Sequence, residues 1–283
     1  MDEVGLGQQL QEARKNAGLT QQDLCHKAGL SYSTLAKIER GAIKAPSIFT
    51  IQSIASSLNL SLGQLLGDLA PAPPLAKNYR SKSGLRFVYF DINGCLVRFF
   101  HRAFTQLAAD TGASADLIET TFWHYNDAVC RGEMSMQDFN NAMAKDVCTD
   151  VIDWQKYYLA SIDPIQEMHD LVNWADQYYG VGLLSNIMPG FIATMIQTGV
   201  LPNIQYAAII DSSLVGFIKP EPKIYEFAQA QTTVKPEEIL LVDDSRSNLM
   251  AAQKFGWHVL WFDDYRPDES IARIKNSLEP ETL

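Results

Sequence analysis

Leu85-Arg86-Phe87-Val88-Tyr89-Phe90-Asp91 is a short apolar run that closes on a carboxylate. Four more runs follow: Val181–Ser185 (VGLLS), closing on a hydroxyl, then Ala207–Asp211 (AAIID), Ile239–Asp243 (ILLVD) and Trp257–Phe262 (WHVLWF). Between the later runs, helical patterns occupy Gly190–Thr198, Lys223–Gln231, Arg246–Phe255 and Ser270–Leu278. Continuous apolar strands alternating with helices imply a parallel sheet covered on both faces. In such sheets ligands bind beyond the carboxyl ends of the strands. Asp91, Ser185 and the Asp243-Asp244 pair all stand at such ends.

The whole chain has 283 residues, which at roughly 100–200 residues per domain implies about two domains. With 47% hydrophobic and 20% charged residues it has the composition of an ordinary globular protein. It holds no run of eighteen apolar residues, so no transmembrane helix is expected. Its start, Met1-Asp2-Glu3, lacks the basic-then-apolar pattern of a secretory signal. Cys25, Cys95, Cys130 and Cys148 are scattered without a CxxC pair, which argues against a disulfide framework and against a thiolate zinc site. A soluble cytoplasmic protein with no membrane partner is the expectation.

Charge divides the chain. The net charge is −10, yet residues 1–70 are neutral, residues 71–86 carry +4 (Lys77, Arg80, Lys82, Arg86), and the remainder carries −14. Ala70-Pro71-Ala72-Pro73-Pro74 reads as a semi-rigid linker at the same place. The expected domains are therefore 1–69, a Pro/Ala-rich basic linker over 70–84, and 85–283.

The first domain reads as five short helices. Leu6, Leu10, Ala13 and Ala17 share a face, and Gly18 stops that helix. Thr20 caps the next, with Asp23 three residues on, and Gly29 suits a left-handed turn. Ser31 caps a third helix carrying Leu35 and Ile38; Pro46-Ser47 opens a fourth and Ser61 a fifth. Two helices joined by a Gly-containing turn match the helix-turn-helix unit. Residues 6–66 resemble the phage-repressor-like (Cro/Xre-type) helix-turn-helix family, through Gly18-Leu19-Thr20-Gln21-Gln22-Asp23-Leu24, Ala28-Gly29-Leu30-Ser31 and Thr34 to Gly41. The resemblance implies double-stranded DNA as partner, with Gln21 and Ser31 on phosphates and with Tyr32, Ser33 and Lys37 facing base edges. Glu39 is expected to pair within the domain. A helical dimerisation or peptide-binding module is the alternative. Helix-turn-helix proteins of this kind commonly read two half-sites, so a homodimer is expected.

In the second domain, carboxylates on oxygen-rich loops suit a hard cation such as Mg²⁺, and a hydroxyl with Lys219 suits a phosphate. A carboxylate can also act as a nucleophile. The pattern resembles the haloacid dehalogenase (HAD) superfamily over 85–283. The carrying motifs are Asp91-Ile92-Asn93-Gly94-Cys95, Leu184-Ser185-Asn186, Gly216 through Tyr225 with Lys219, and Val242 through Asn248. The resemblance implies a Rossmann-like core with an inserted helical cap at about 98–179. It makes Asp91 the nucleophile, gives the phosphate to Ser185, Asn186 and Lys219, and gives Mg²⁺ to Asp91, the backbone carbonyl of Asn93 and Asp243/Asp244. Phe104, Leu107, Phe122, Trp123, Tyr125 and Trp154 are expected mostly in the cap's core.

The sequence departs from the family at Asn93, where its phosphatases carry a second Asp that protonates the leaving group and then activates water. An amide exchanges no proton near neutral pH. Cys95 also replaces the usual Thr. Three readings follow. One is a DNA-binding transcriptional regulator whose HAD-like domain binds a small phosphorylated metabolite or Mg²⁺ with weak or no hydrolysis. Another is an active Mg²⁺-dependent phosphatase with a regulatory DNA-binding domain. The third is a purely structural interaction module.

Overall fold

The computed structural model describes residues 3–43, 46, 48–58 and 79–280. The helix expected from Ser61 and the Pro/Ala stretch lie outside the described residues. The chain divides into two compact units, Met1–Pro71 and Ala72–Leu283.

In the first unit, α1 (Glu3–Asn16), α2 (Gln21–Ala28), α3 (Tyr32–Glu39) and α4 (Ile48–Ser57) enclose a core of Leu10, Leu24, Leu35, Ile38, Ile51 and Ile54. Helix α1 stops one residue before Ala17, which is exposed. The local signals act as their chemistry dictates. Thr20 accepts the Asp23 N–H at 3.1 Å while the Asp23 carboxylate accepts the Thr20 N–H at 2.9 Å, a reciprocal capping box. Gly29 closes α2 at φ +65°, and the Ser31 hydroxyl accepts the Thr34 N–H to open α3. A buried ion pair ties the last turn of α1 to the end of α3. The Arg14 guanidinium donates to both oxygens of Glu39, at 2.7 and 3.0 Å.

The second unit is built on a five-stranded parallel sheet in the order β3-β2-β1-β4-β5. Its strands are β1 (Phe87–Phe90), β2 (Gly180–Ser185), β3 (Ala208–Asp211), β4 (Ile239–Asp243) and β5 (His258–Trp261). Alternate residues feed two cores. Val88, Phe90, Leu183, Leu240 and Val242 point to one face, and Phe87, Tyr89, Leu184, Leu241 and Ile210 to the other. Phe90 pairs with Leu183 on one side and Val242 on the other, so the chain leaves β1, β2 and β4 at nearly one level.

Four helices, α5 (Arg102–Thr111), α6 (Ala115–Cys130), α7 (Met136–Asp146) and α8 (Trp154–Ser161), form the cap. A backbone neck closes its base: Arg98 N–H donates to Asp163 O at 2.8 Å and Ile165 N–H to Leu96 O at 2.9 Å. The cap thus ends near residue 162, earlier than the expected 179. The next helix, α9 (Gln166–Ala175), packs on β2 and on the last helix, α14 (Pro267–Ser277), as part of the sheet's own cover. Phe104, Leu107, Phe122 and Trp154 are buried in the cap, whereas Trp123 is exposed and Tyr125 is half-buried, donating to Asp146. Helices α10 (Phe191–Gln197), α11 (Ser212–Val215), α12 (Pro222–Ala230) and α13 (Arg246–Lys254) complete the crossovers.

The end of the expected linker is part of this unit. Arg80 pairs with Glu238, Lys82 with Glu279 at 2.7 Å, and Arg86 lies 4.0 Å from Glu238. Its described basic residues thus pair with acids of the same unit, Arg80 and Arg86 sharing Glu238. No described helix is long and apolar enough to cross a membrane.

Candidate functional site

Parallel strands bring their carboxyl ends to one edge, and the side chains there form a buried polar cluster. Asp91 follows β1, and its Oδ1 accepts from the Ser185 hydroxyl at the end of β2 at 2.7 Å and from the Ile92 N–H at 2.7 Å. The Lys219 ammonium stands 3.0 Å from Asp91 and 2.5 Å from Asp243, which ends β4. Asp243 also accepts from the Asn248 amide at 3.0 and 3.2 Å and from the Ser245 N–H at 2.8 Å. Asp91, Ser185, Lys219 and Asp243 are each less than a tenth exposed.

Such burial has electrostatic consequences. It pushes the Asp91 carboxyl up, against the opposing pull of Lys219. Asp244 is pushed up to about 7, by burial first and then by the charges of Asp91 and Asp243. Burial would lower the Lys219 ammonium, but the facing Asp243 and Asp91 carboxylates overcome it and hold it charged. One ammonium thus faces three carboxylates.

The donor set fits a hard divalent cation. Oxygens of Asp91, Asp243 and Asp244 lie within 4.8 Å of one another. The backbone makes room for them: Gly94 sits at φ +81°, and a Cβ there would come 2.3 Å from Asp244 Oδ2.

Not every expected residue stands free. The Asn186 amide is engaged with the backbone of Lys219, donating to its carbonyl at 2.8 Å and accepting its N–H at 2.7 Å. It therefore sets the position of Lys219. Asn93 stands next to the cluster, and its Oδ1 accepts from the Tyr158 hydroxyl of the cap at 2.6 Å. Burial pushes the Tyr158 phenol far above its ordinary range, so it stays a donor. Tyr158 and Asn248 are the site residues that sequence reasoning missed. Asn248 closes the Val242–Asn248 motif, where nothing in the sequence marks its role, and Tyr158 carries no local signal.

In the first unit, Tyr32, Ser33 and Lys37 are exposed on α3. Ser31 is exposed, but its hydroxyl is also engaged with Thr34 Oγ1 at 2.8 Å and Ser33 Oγ at 3.1 Å. The Gln21 amide donates to Glu39 at 2.8 Å, joining the Arg14–Glu39 pair. Glu39 thus pairs within the unit.

Comparison with known proteins matches both units. A helix-turn-helix family model covers residues 10–65, and one for haloacid dehalogenase-like hydrolases covers residues 85–256. The chain is 35% identical over 77 residues to the immunity repressor protein of Bacillus phage phi105, across 27% of this chain and 53% of the repressor. It is 46% identical over 48 residues to bifunctional epoxide hydrolase 2 of Rattus norvegicus, across 17% of this chain and 9% of that one. Another match, the mouse acyl-CoA dehydrogenase family member 10, is 30% identical over 71 residues, and the chain spans only 6% of it. A HAD family enzyme of Bacteroides thetaiotaomicron, solved with magnesium and inorganic phosphate, shares the fold with a TM-score of 0.54 at 18% identity, covering 64% of this chain and 96% of that one. The phage-repressor likeness of the first unit and the HAD likeness of the second thus hold, and the chain, with its N-terminal helix-turn-helix unit, belongs to the haloacid dehalogenase-like hydrolases.

Proposed function

We propose that the protein is a DNA-binding transcriptional regulator whose HAD-like domain binds a small phosphorylated metabolite together with Mg²⁺ and hydrolyses it slowly or not at all. The observation that carries this is Asn93: its carboxamide accepts the Tyr158 hydroxyl where the family's phosphatases hold an acid. In that reading Asp91, Asp243, Asp244 and the backbone carbonyl of Asn93 hold Mg²⁺, whose charge offsets that of the phosphate oxygens. Ser185 and Lys219 supply a hydroxyl and an ammonium to the phosphate, and Asn186 holds Lys219 in place. Attack by an Asp91 oxygen on phosphorus breaks the ester P–O bond and leaves an alkoxide in need of a proton. Asn93 has none to give, nor can it take one from water afterwards, so general acid–base help of typically 10²–10⁴-fold is absent.

The retained Asp91, Ser185, Lys219 and Asp243/Asp244 favour a second reading, an active phosphatase regulated or addressed by its DNA-binding unit. Mg²⁺-dependent phosphate release from a panel of phosphorylated metabolites separates the two. Silence of the wild type with activity in Asn93→Asp supports the sensor. Robust wild-type turnover that Asp91→Asn abolishes supports the enzyme and defeats the sensor.

For the DNA partner, exposed Tyr32, Ser33 and Lys37 on α3 are the base-reading candidates, with Gln21 and Ser31 near the backbone phosphates. Two half-sites call for a homodimer in the cytoplasm. Light scattering with and without operator-sized DNA checks this, and a monomer in both states counts against it.

A further inference from the structure

We propose that the pocket beside the carboxylate cluster takes the organic part of a small phosphate monoester, and that this part is uncharged. The inference rests on the reading of the cluster as a phosphate site and names what that phosphate is attached to. The pocket lies between cap and sheet, and Asn93 and Asn186, both next to the cluster, line it. Phe100, Phe122, Tyr158 and Phe191 give it aromatic walls. The other polar groups facing it are the Asn126 amide, the Cys130 thiol and the Trp154 indole. Among the described residues that line it there is no carboxylate, ammonium, guanidinium or imidazole.

Two consequences follow. A charged organic group would lose its water there and meet no counter-charge, which is strongly unfavourable. Trp154, one of its lining residues, is fully buried, and among the described residues its Nε1–H has no acceptor. The volume is ≈ 30 Å³, room for two or three water-sized groups, so the portion of the organic part seated there has only a few heavy atoms. Phosphorylated carboxylic acids are disfavoured by their charge.

The test is calorimetric titration of the full chain in Mg²⁺ with inorganic phosphate, ethyl phosphate, propyl phosphate and 2-phosphoglycolate. Inorganic phosphate should bind, and affinity should rise about fourfold per methylene as the apolar walls are filled. 2-Phosphoglycolate, close to propyl phosphate in size but carrying a carboxylate, should bind no tighter than inorganic phosphate. The proposal is overturned if 2-phosphoglycolate matches propyl phosphate, or if phosphate binds and the alkyl esters gain nothing. Failure of inorganic phosphate to bind at all overturns the phosphate-site reading, and this inference with it. In a folded Asn126→Lys variant the order should reverse, with 2-phosphoglycolate ahead of propyl phosphate. An unchanged order there means the pocket does not hold the organic part.

Discussion

Asn93 and Asp differ by an amide for a carboxyl of nearly the same shape, and the Tyr158 hydroxyl can donate to either. Asn93→Asp should therefore fold normally and raise phosphate-ester turnover by about 10²–10⁴-fold, read as phosphate release under saturating Mg²⁺. Asn248 acts one step back, by holding both oxygens of Asp243. Asn248→Ala should weaken Mg²⁺ binding by about 10–100-fold without unfolding the protein, measured by direct Mg²⁺ titration. A merely local role would leave that affinity unchanged. Residues at strand ends were legible in the sequence because strand and chemistry are adjacent there: Asp91, Ser185 and Asp243 each close an apolar run. Tyr158 was not, because nothing near it in the chain tells that the cap will fold it onto Asn93, sixty-five residues away.

At the level of elements, α1, α2 and α3 are joined by one charge. Burial alone would push the Glu39 carboxyl up, but hydrogen bonds from Arg14 and Gln21 and the Arg14 charge hold it below its ordinary value. A carboxyl lowered on folding stabilises the fold above its unfolded pKa of about 4.3, and that contribution is lost as pH falls through the folded value. The first unit should thus lose stability on acidification below about pH 4. Glu39→Ala leaves Arg14 buried without its partner and should cost about 3–5 kcal/mol at neutral pH, seen as a lowered thermal midpoint of that unit. Glu39→Gln should flatten the acid dependence. In the loop after β1, Gly94→Ala combines a left-handed φ with a Cβ against Asp244. It should abolish Mg²⁺ binding while the far-ultraviolet circular dichroism stays native-like. The five strands and the capped helices of the reading unit were legible, since caps, turns and apolar runs are local signals. The end of the cap was not. Apolar periodicity marks α9 as a helix, but only the neck between Leu96–Arg98 and Asp163–Ile165 decides that it covers the sheet.

For the molecule as a whole, separate cores imply separate melting. Calorimetry should resolve two transitions, of which Mg²⁺ raises only that of the larger unit, by about 2.7 kcal/mol at a hundred times its Kd. A single transition that moves as one body would contradict this. The pairing of Arg80 and Arg86 with Glu238, and of Lys82 with Glu279, partly offsets their charge and has a kinetic consequence for the proposed regulator. Cations partly neutralised within the protein displace fewer counterions from a duplex. In the proposed reading, loose attachment to arbitrary sequence draws, among the described residues, on Lys15, Lys27, Lys37 and Arg40, exposed on a unit whose overall charge is zero. Residence of the proposed regulator on non-cognate DNA is accordingly expected to be brief. Such a regulator would search by repeated collisions from solution rather than by long sliding runs, and would win its operator by fit in the groove.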